Sequence, residues 1–223
     1  MIGAEFQEAK TIVDRIAVLL MAAMRPANGR DAALARSAVS STIANTRELL
    51  DNEEFAASLF SNFNLVRSAG GTLAGFMALR LEIILQAPVY LAGQFVVKMA
   101  LLASLAQEAR LIAATIFTSR YDVDLMSAKV SLAYEHVEEI FATWADPNVY
   151  LALLRMHSDL VKHLSEVARP LPRMVNYSYS IPYPSLTMAN LVYADGNRAE
   201  ELVAENKIVH PAFMSLTGQM LAN

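Results

Sequence analysis

Apolar residues recur at spacings of three and four along most of residues 4–168, and this period predicts an all-α fold. Similar stripes follow one another after short polar breaks, so this part of the chain is predicted to be a bundle of about six or seven helices joined by short loops. The first stripe shows the pattern best, and it consists of Phe6, Ala9, Val13, Ile16, Leu20 and Met24.

Two of the predicted helical stretches, residues 72–86 and 88–118, have almost no polar face. Helices that are apolar nearly all round are either central in a bundle or covered by partners. The most apolar stretch runs from Leu81 to Phe117, but charged residues interrupt it and its longest uncharged piece contains Pro88. Since a membrane span needs about 20 apolar residues, a buried helix is the favoured interpretation, and membrane association is the alternative.

The residue pattern of the sequence changes at Arg169. Five of the eight prolines follow this residue, and segment 169–184 alternates Pro and Tyr without a helical period. Proline fixes φ and biases the preceding residue toward extended backbone, so this segment is predicted to be an extended, Pro/Tyr-rich arm. Aromatic rings left in water would expose apolar area, so these rings should lie against the bundle or a neighbouring subunit. The tyrosines concerned are Tyr177, Tyr179, Tyr183 and Tyr193.

Residues 185–223 are predicted to form a small C-terminal helical module. Ser185 can cap a short first helix, and Asp195 begins a turn with the following glycine. Asn197 and Glu200 then have the spacing of a capping box at the start of a second helix. The predicted domains are therefore the bundle, 1–168, the linker arm, 169–184, and the module, 185–223.

The end of that second helix and the turn beyond it are also marked in the sequence. Asn206 suits the left-handed residue that ends many helices. His210 and Pro211 should then turn the chain toward Phe213. The residues predicted to hold the shape of the module as structural caps are Asp195, Asn197, Asn206 and Pro211.

Composition and charge exclude several function classes. The 223 residues include 18 Lys and Arg, 22 Asp and Glu, and no cysteine, for a net charge of −4. Without cysteine the chain has no thiol nucleophile, disulfide or zinc–thiolate site. No short window is basic enough to follow a phosphate backbone, so strong nucleic-acid binding is not expected.

The sequence contains no catalytic constellation. The segment GGTLAG, 70–75, lacks the Lys-Ser/Thr pair of a phosphate-binding loop, and its glycines are better explained by close contact between helices. The four histidines form no pair at the i, i+4 spacing that would place two metal ligands on one helix face. The sequence therefore predicts that the protein is not an enzyme and that it has no cofactor and no bound metal.

One stretch of the tail is unusually specific. From Tyr193 to Phe213 it reads YADGNRAEELVAENKIVHPAF, and it resembles the C-terminal signature of the Mu-type phage DNA-circularisation (tail) protein family. In that family a Tyr, an Asp, an Arg-Ala-(Asp/Glu)-Glu-Leu helix, an Asn, an Ile and a His-Pro-(Gly/Ala)-Phe follow in this order. Typical members begin with a separate N-terminal domain that has no counterpart here, so functions of that domain cannot be carried over.

The resemblance implies a structural protein of a contractile-type phage tail, near the baseplate hub and the start of the tail tube. It implies a ring-like homo-oligomer with hub, tube and tape-measure proteins as partners, made in the bacterial host cytoplasm and located in the virion. The alternative is a helical protein that acts on or inserts into a bilayer during infection. Residues expected to contact partners are Tyr177, Tyr179, Tyr183, Tyr193, Arg198, Glu201, His210 and Phe213; the other reading is that they only fold the tail onto the bundle.

Overall fold

The structure is a computed structural model that describes residues 3–24, 29–142 and 147–222. It is an all-α, multi-helix fold, as predicted, with one small sheet. Eight helices precede residue 169, one or two more than predicted. They are α1 (Gly3–Ala22), α2 (Arg30–Ala44), α3 (Thr46–Asp51), α4 (Phe55–Ser68), α5 (Leu73–Ile84), α6 (Leu91–Ala113), α7 (Arg120–Phe141) and α8 (Pro147–Ala168).

The C-terminal part of the chain combines short helices with two strands. Strand β1 (Met174–Ser178) pairs in antiparallel register with β2 (Thr217–Leu221). Between them lie α9 (Ser185–Tyr193), a single 3₁₀ turn (Gly196–Arg198) and α10 (Ala199–Glu205).

The described residues divide into two compact units that differ from the predicted domains. The first, called the helical unit, comprises Met1–Thr115 and Val130–Leu160, and the second, called the C-terminal unit, comprises Ile116–Lys129 and Val161–Asn223. The predicted arm, 169–184, and the predicted module, 185–223, belong to the same unit because β1 pairs with β2. Helices α7 and α8 contribute residues to both units.

Helix α6 is the centre of the helical unit. It packs against α1, α4 and α5, and about half of its residues are buried, including Val96, Leu101 and Leu105. This is the outcome that the nearly uniform apolarity of the stretch favoured. Among the residues that the structure describes, no helix is both long enough and apolar enough to cross a membrane.

Two glycines of the segment 70–75, Gly71 and Gly75, serve close packing, whereas Gly70 has the positive φ of 94° and open space around it. A side chain on Gly75 would meet the backbone of Ala23 at the end of α1, 2.7 Å away. The N–H of Thr72 donates to the carbonyl oxygen of Ala23 over 3.2 Å, and the hydroxyl of Thr72 caps α5 by accepting from the N–H of Gly75. The segment therefore joins α5 to the end of α1, as the packing interpretation predicted.

Candidate interaction surface

The C-terminal unit has its own hydrophobic core, and three of the tyrosines of the arm belong to it or pack on it. The buried members of this core are Tyr177, Met188, Ala189, Tyr193, Leu202 and Met214. Tyr179 and Tyr183 pack against it and are partly buried. Their rings lie 6.0 Å apart, edge to face, and the rings of Tyr177 and Tyr179 are also separated by 6.0 Å. The arm therefore uses its aromatic area mainly within its own unit.

Tyr193 also binds the backbone of the last strand. Its hydroxyl accepts a hydrogen bond from the N–H of Leu221 over 3.2 Å. Burial raises the pKa of this phenol, so the neutral form is favoured and the hydroxyl stays protonated. The position that the sequence marked as a partner anchor thus connects the end of α9 to β2.

Arg198 and Glu201 form an ion pair with each other. The Nη2 of Arg198 lies 2.6 Å from Oε1 of Glu201, and its Nε lies 3.1 Å from Oε2, so the pair is bidentate. The guanidinium also covers the ring of Tyr193, 3.8 Å from its centre. The hydrogen bond to Glu201 raises the pKa of Arg198. Both side chains are about a third exposed or less. The contact with the Tyr193 ring holds the Arg198 guanidinium in one orientation.

The capping residues act differently from the sequence expectation. The carboxylate of Asp195 accepts from the N–H of Asn197 over 2.9 Å and caps the 3₁₀ turn. Because this turn comes first, α10 begins only at Ala199, and the expected cap by Asn197 is wrong. Ser185 is the first helical residue of α9 and makes no side-chain cap, so that expectation is also wrong.

Asn206 ends α10, but not in the expected left-handed conformation. Its φ is −92°, and Lys207 after it has the positive φ of 50°. The side chain of Asn206 has another role, since its Nδ2 donates to the carbonyl oxygens of Leu202, at 2.8 Å, and Gln219, at 2.7 Å. Its Oδ1 accepts from the N–H of Gln219 over 2.7 Å. One amide thus closes the last turn of α10 and fixes α10 to β2.

The turn at His210 and Pro211 presents exposed apolar side chains. The N–H of Phe213 donates to the carbonyl of His210 over 3.0 Å, and the N–H of Ser185 donates to the carbonyl of Pro211 over 2.7 Å. The ring of Phe213 lies 5.6 Å from that of His210 and is 69% exposed, while Val209 is 99% exposed. The exposed large apolar side chains of this unit are Ile116, Tyr121, Leu125, Val175, Ile181, Leu186, Leu191, Val209, Phe213 and Leu216.

The buried ionisable groups of the helical unit form a structural cluster. Nε of Arg80 on α5 donates to Oε1 of Glu108 on α6 over 2.9 Å, and both side chains are almost fully buried. The hydroxyl of Ser104 lies 3.2 Å from the same oxygen. Burial raises the pKa of Glu108, although Arg80 acts in the opposite direction. The cluster ties α5 to α6.

A second polar contact in this unit involves Tyr134, His157 and Glu138. The rings of Tyr134 and His157 stack at 4.7 Å, and Nδ1 of His157 lies 2.8 Å from Oε1 of Glu138. Burial raises the pKa of Tyr134, and its hydroxyl has no hydrogen-bond partner among the described residues. Within residues 3–24, 29–142 and 147–222, no group of His, Asp or Glu side chains is arranged to hold a metal ion.

No known protein-family model matches this chain, and no curated protein matches it. The chain's own residues and geometry are therefore what indicates its function. Two features of this geometry could not be predicted from the sequence pattern. The double role of Asn206 requires knowing that β2 lies beside α10, and β2 itself is a short strand whose second residue is Gly218, an unfavourable residue for a strand.

Proposed function

We propose that this chain is a structural component of a contractile-type phage tail, at the baseplate hub or the start of the tail tube, and that it acts in assembly through protein–protein contacts. Its partners are further copies of itself, in a ring-like homo-oligomer, and the hub, tube and tape-measure proteins. It is made in the bacterial host cytoplasm and located in the virion. The resemblance of residues 193–213 to the family signature supports this proposal.

The observation that carries the proposal is large apolar area left uncovered by the chain's own fold. In the C-terminal unit, Val209 and Phe213 of the signature segment are exposed. In the helical unit, exposed apolar side chains surround the connection between α5 and α6, where Leu85, Val89 and Leu91 are 74–77% exposed. Exposed apolar side chains that cluster, as they do at this connection, are typical of surfaces that partner proteins cover.

The bilayer is the second candidate partner, and the same connection between α5 and α6 is what favours it. Leu85, Val89 and Leu91 project from one end of two apolar helices. Such side chains could enter the headgroup region of a membrane without spanning it. In the structure, however, the N–H groups of Val89 and Tyr90 donate to the carboxylate of Glu8, which places a negative charge at this connection.

The first experiment is the mass of the purified protein by light scattering, with and without detergent. A discrete oligomer without detergent supports assembly with further copies. A monomer that is soluble only in detergent supports the membrane alternative and contradicts the assembly proposal. Flotation with liposomes gives an independent answer on the same alternative.

The second experiment asks whether the signature surface serves assembly. We expect Phe213→Ala to reduce incorporation into tail particles more than it lowers helicity, because the ring is exposed and contributes little to the fold. The matched control is Leu132→Ala, since Leu132 on α7 is 71% exposed and lies outside the signature. Equal loss of incorporation and helicity for Phe213→Ala, or equal incorporation defects in both variants, would reduce the signature to a folding element.

A further inference from the structure

The two strands of the small sheet differ in whether the backbone groups on their outer edges have hydrogen-bond partners. In an antiparallel pair, successive residues point their backbone N–H and C=O alternately toward and away from the partner strand. The bonds from Tyr179 to Leu216, at 2.7 Å, and from Ala222 to Arg173, at 2.6 Å, continue the ladder at its two ends. With the register Asn176 opposite Gln219, the odd-numbered residues of β1 therefore face β2.

The outer edge of β2 is closed by side chains of its own unit. Asn206 binds both the N–H and the C=O of Gln219, and the hydroxyl of Tyr193 binds the N–H of Leu221. These are the groups that point away from β1. A free strand edge is a template for pairing with another chain, and native proteins commonly block such edges. Here the block consists of two polar side chains from α9 and α10.

The outer edge of β1 is open. Its even-numbered residues Met174, Asn176 and Ser178 point their backbone groups away from β2, and these groups have no hydrogen-bond partner among the described residues. The neighbouring carbonyl, that of Pro172, accepts from the N–H of Arg120 over 3.0 Å. Asn176 and Ser178 are exposed, and at the Met174 end a hollow of about 370 Å³ is lined by Met174 and Arg173 together with Arg120, Tyr121 and Asp124 of α7. The edge is therefore accessible to an extended chain.

We propose that β1 pairs with β1 of a second copy of this chain, antiparallel and around a two-fold axis at Asn176. In this register Asn176 lies opposite Asn176 of the second copy, and Met174 lies opposite Ser178. All of these residues point their free N–H and C=O groups outward, so every donor meets an acceptor. The result is a four-stranded sheet with the order β2, β1, β1, β2. The inference rests on the self-association in the proposed function and names one surface for it.

The second copy is favoured over another strand for two reasons. Among the strands that the structure describes, β1 has the open edge and β2 does not, so the free edges of two copies are identical and can pair symmetrically. Residues 174–178 also carry no charge and no proline, the two common blocks of a strand edge. The nearest charge along the strand, Arg173, would lie opposite Tyr179 of the second copy, so the two Arg173 guanidinium groups are kept apart. The other charged residues at this edge, Arg120 and Asp124, have opposite signs and line the hollow beside Met174.

Cysteine cross-linking tests this pairing, because the chain has no cysteine of its own. In the proposed register the two Cα atoms of position 176 are about 5.5 Å apart, which is within the range for a disulfide. The Cα atoms of position 178 are separated by four residues along the strand, roughly 13 Å, and cannot form one. We expect Asn176→Cys to give a disulfide dimer under mild oxidation and Ser178→Cys alone to give none.

A mixture of two cysteine variants provides the positive control for position 178. Met174→Cys and Ser178→Cys chains, combined before oxidation, should form the mixed disulfide because these positions face each other across the axis. Equal cross-linking of Asn176→Cys and Ser178→Cys would indicate random collision and overturn the proposal. Absence of cross-linking by Asn176→Cys in a folded protein would overturn it as well.

A proline variant distinguishes pairing through β1 from self-association through other surfaces of the chain. Asn176→Pro removes an N–H that points away from β2, so the ladder to β2 is retained, while Asn176→Ala keeps the N–H. We expect Asn176→Pro to at least halve the mass seen by light scattering while the circular dichroism spectrum at 25 °C stays that of the wild type, and Asn176→Ala to have the wild-type mass. A wild-type oligomer whose mass is unchanged by Asn176→Pro would overturn the pairing through β1 and leave the proposed assembly function standing.

Discussion

The interactions that stabilise the helical unit internally differ from those that stabilise the C-terminal unit internally. In the helical unit, long helices bury apolar stripes around α6, and the aromatic rings of Phe63 and Phe76 stack at 6.1 Å in its interior. In the C-terminal unit, the elements are short and side chains bind directly to backbone groups. Asn206 and Tyr193 are the two that fix β2.

This difference changes what a single substitution does. Apolar packing is spread over many contacts, so the helical unit should be most sensitive where a buried charge would lose its partner. The C-terminal unit also has an apolar core, but its second strand is held by a few polar atoms and requires glycine at position 218. Changes there should be local to that unit. Four sets of variants test this difference between the two units.

The largest effect is expected for Arg80→Met in the helical unit. It leaves Glu108 buried without its guanidinium partner, and the free energy of unfolding at neutral pH should fall by about 3–5 kcal/mol. The double variant Arg80→Met/Glu108→Leu removes both charges and should recover most of that loss. Chemical denaturation of the three proteins measures it, and a double variant as unstable as Arg80→Met would contradict the explanation.

The loss of stability in Arg80→Met should also depend on pH. Arg80 lowers the pKa of Glu108 against the larger effect of burial, so its removal should raise that pKa further above the unfolded value. A raised pKa in the folded state means that the folded protein binds the proton more tightly, and stability is lost as pH rises through that pKa. The deficit of Arg80→Met should therefore be smallest below the ordinary glutamate pKa of about 4.3 and grow toward neutral pH. A deficit independent of pH would contradict this.

An intermediate effect is expected for Gly218→Ala in the C-terminal unit. Gly218 lies opposite Tyr177 in the sheet, and an added Cβ would collide with the Tyr177 hydroxyl and with Oδ1 of Asn206. Overpacking of this kind costs about 1–3 kcal/mol. Hydrogen exchange should place the loss in residues 161–222 and leave α4 to α6 protected.

Tyr177→Phe tests the cause of that collision. The Tyr177 hydroxyl is buried without a hydrogen-bond partner among the described residues, so its removal alone should be close to neutral. In the Gly218→Ala background it should recover part of the stability. A strongly destabilised Tyr177→Phe would mean that the hydroxyl makes a contact essential to the unit.

A smaller loss than that of Gly218→Ala is expected for Asn206→Ala. Its amide makes three hydrogen bonds, but the two to Gln219 are exposed to water, so the loss should be about 1–2 kcal/mol. Asn197→Ala is the matched control, because Asn197 was expected to cap α10 and does not. We expect Asn197→Ala to change the unfolding midpoint of the C-terminal unit by less than Asn206→Ala does, and equal losses would contradict the assignment.

The sequence predicted the helical unit better than the C-terminal unit, for a physical reason. The stripe of Ala9, Val13, Ile16 and Leu20 is buried in α1 as its period indicated, because burial of an amphipathic helix follows from spacing alone. The inner role of α6 followed from its uniform apolarity. By contrast, β2 was not predicted, since strand pairing across about 40 residues of chain leaves no local pattern in so short a segment.

The tail residues show the same limit. Tyr177 and Tyr193 were expected to meet another surface and are instead buried in the core of their own unit, because β1 returns to pair with β2. The side chain of Phe213 stays exposed, and its contact with a partner stays a prediction. The open edge of β1 could not be predicted from the sequence, since it depends on which backbone groups face β2.

The mass of the purified wild-type protein in the absence of detergent decides whether the chain associates with further copies of itself. The chain has a mass of 24.4 kDa, and assembly through exposed apolar side chains and an open strand edge predicts a discrete species of at least twice that value. A stable monomer that stays monodisperse at high concentration without detergent would contradict the account.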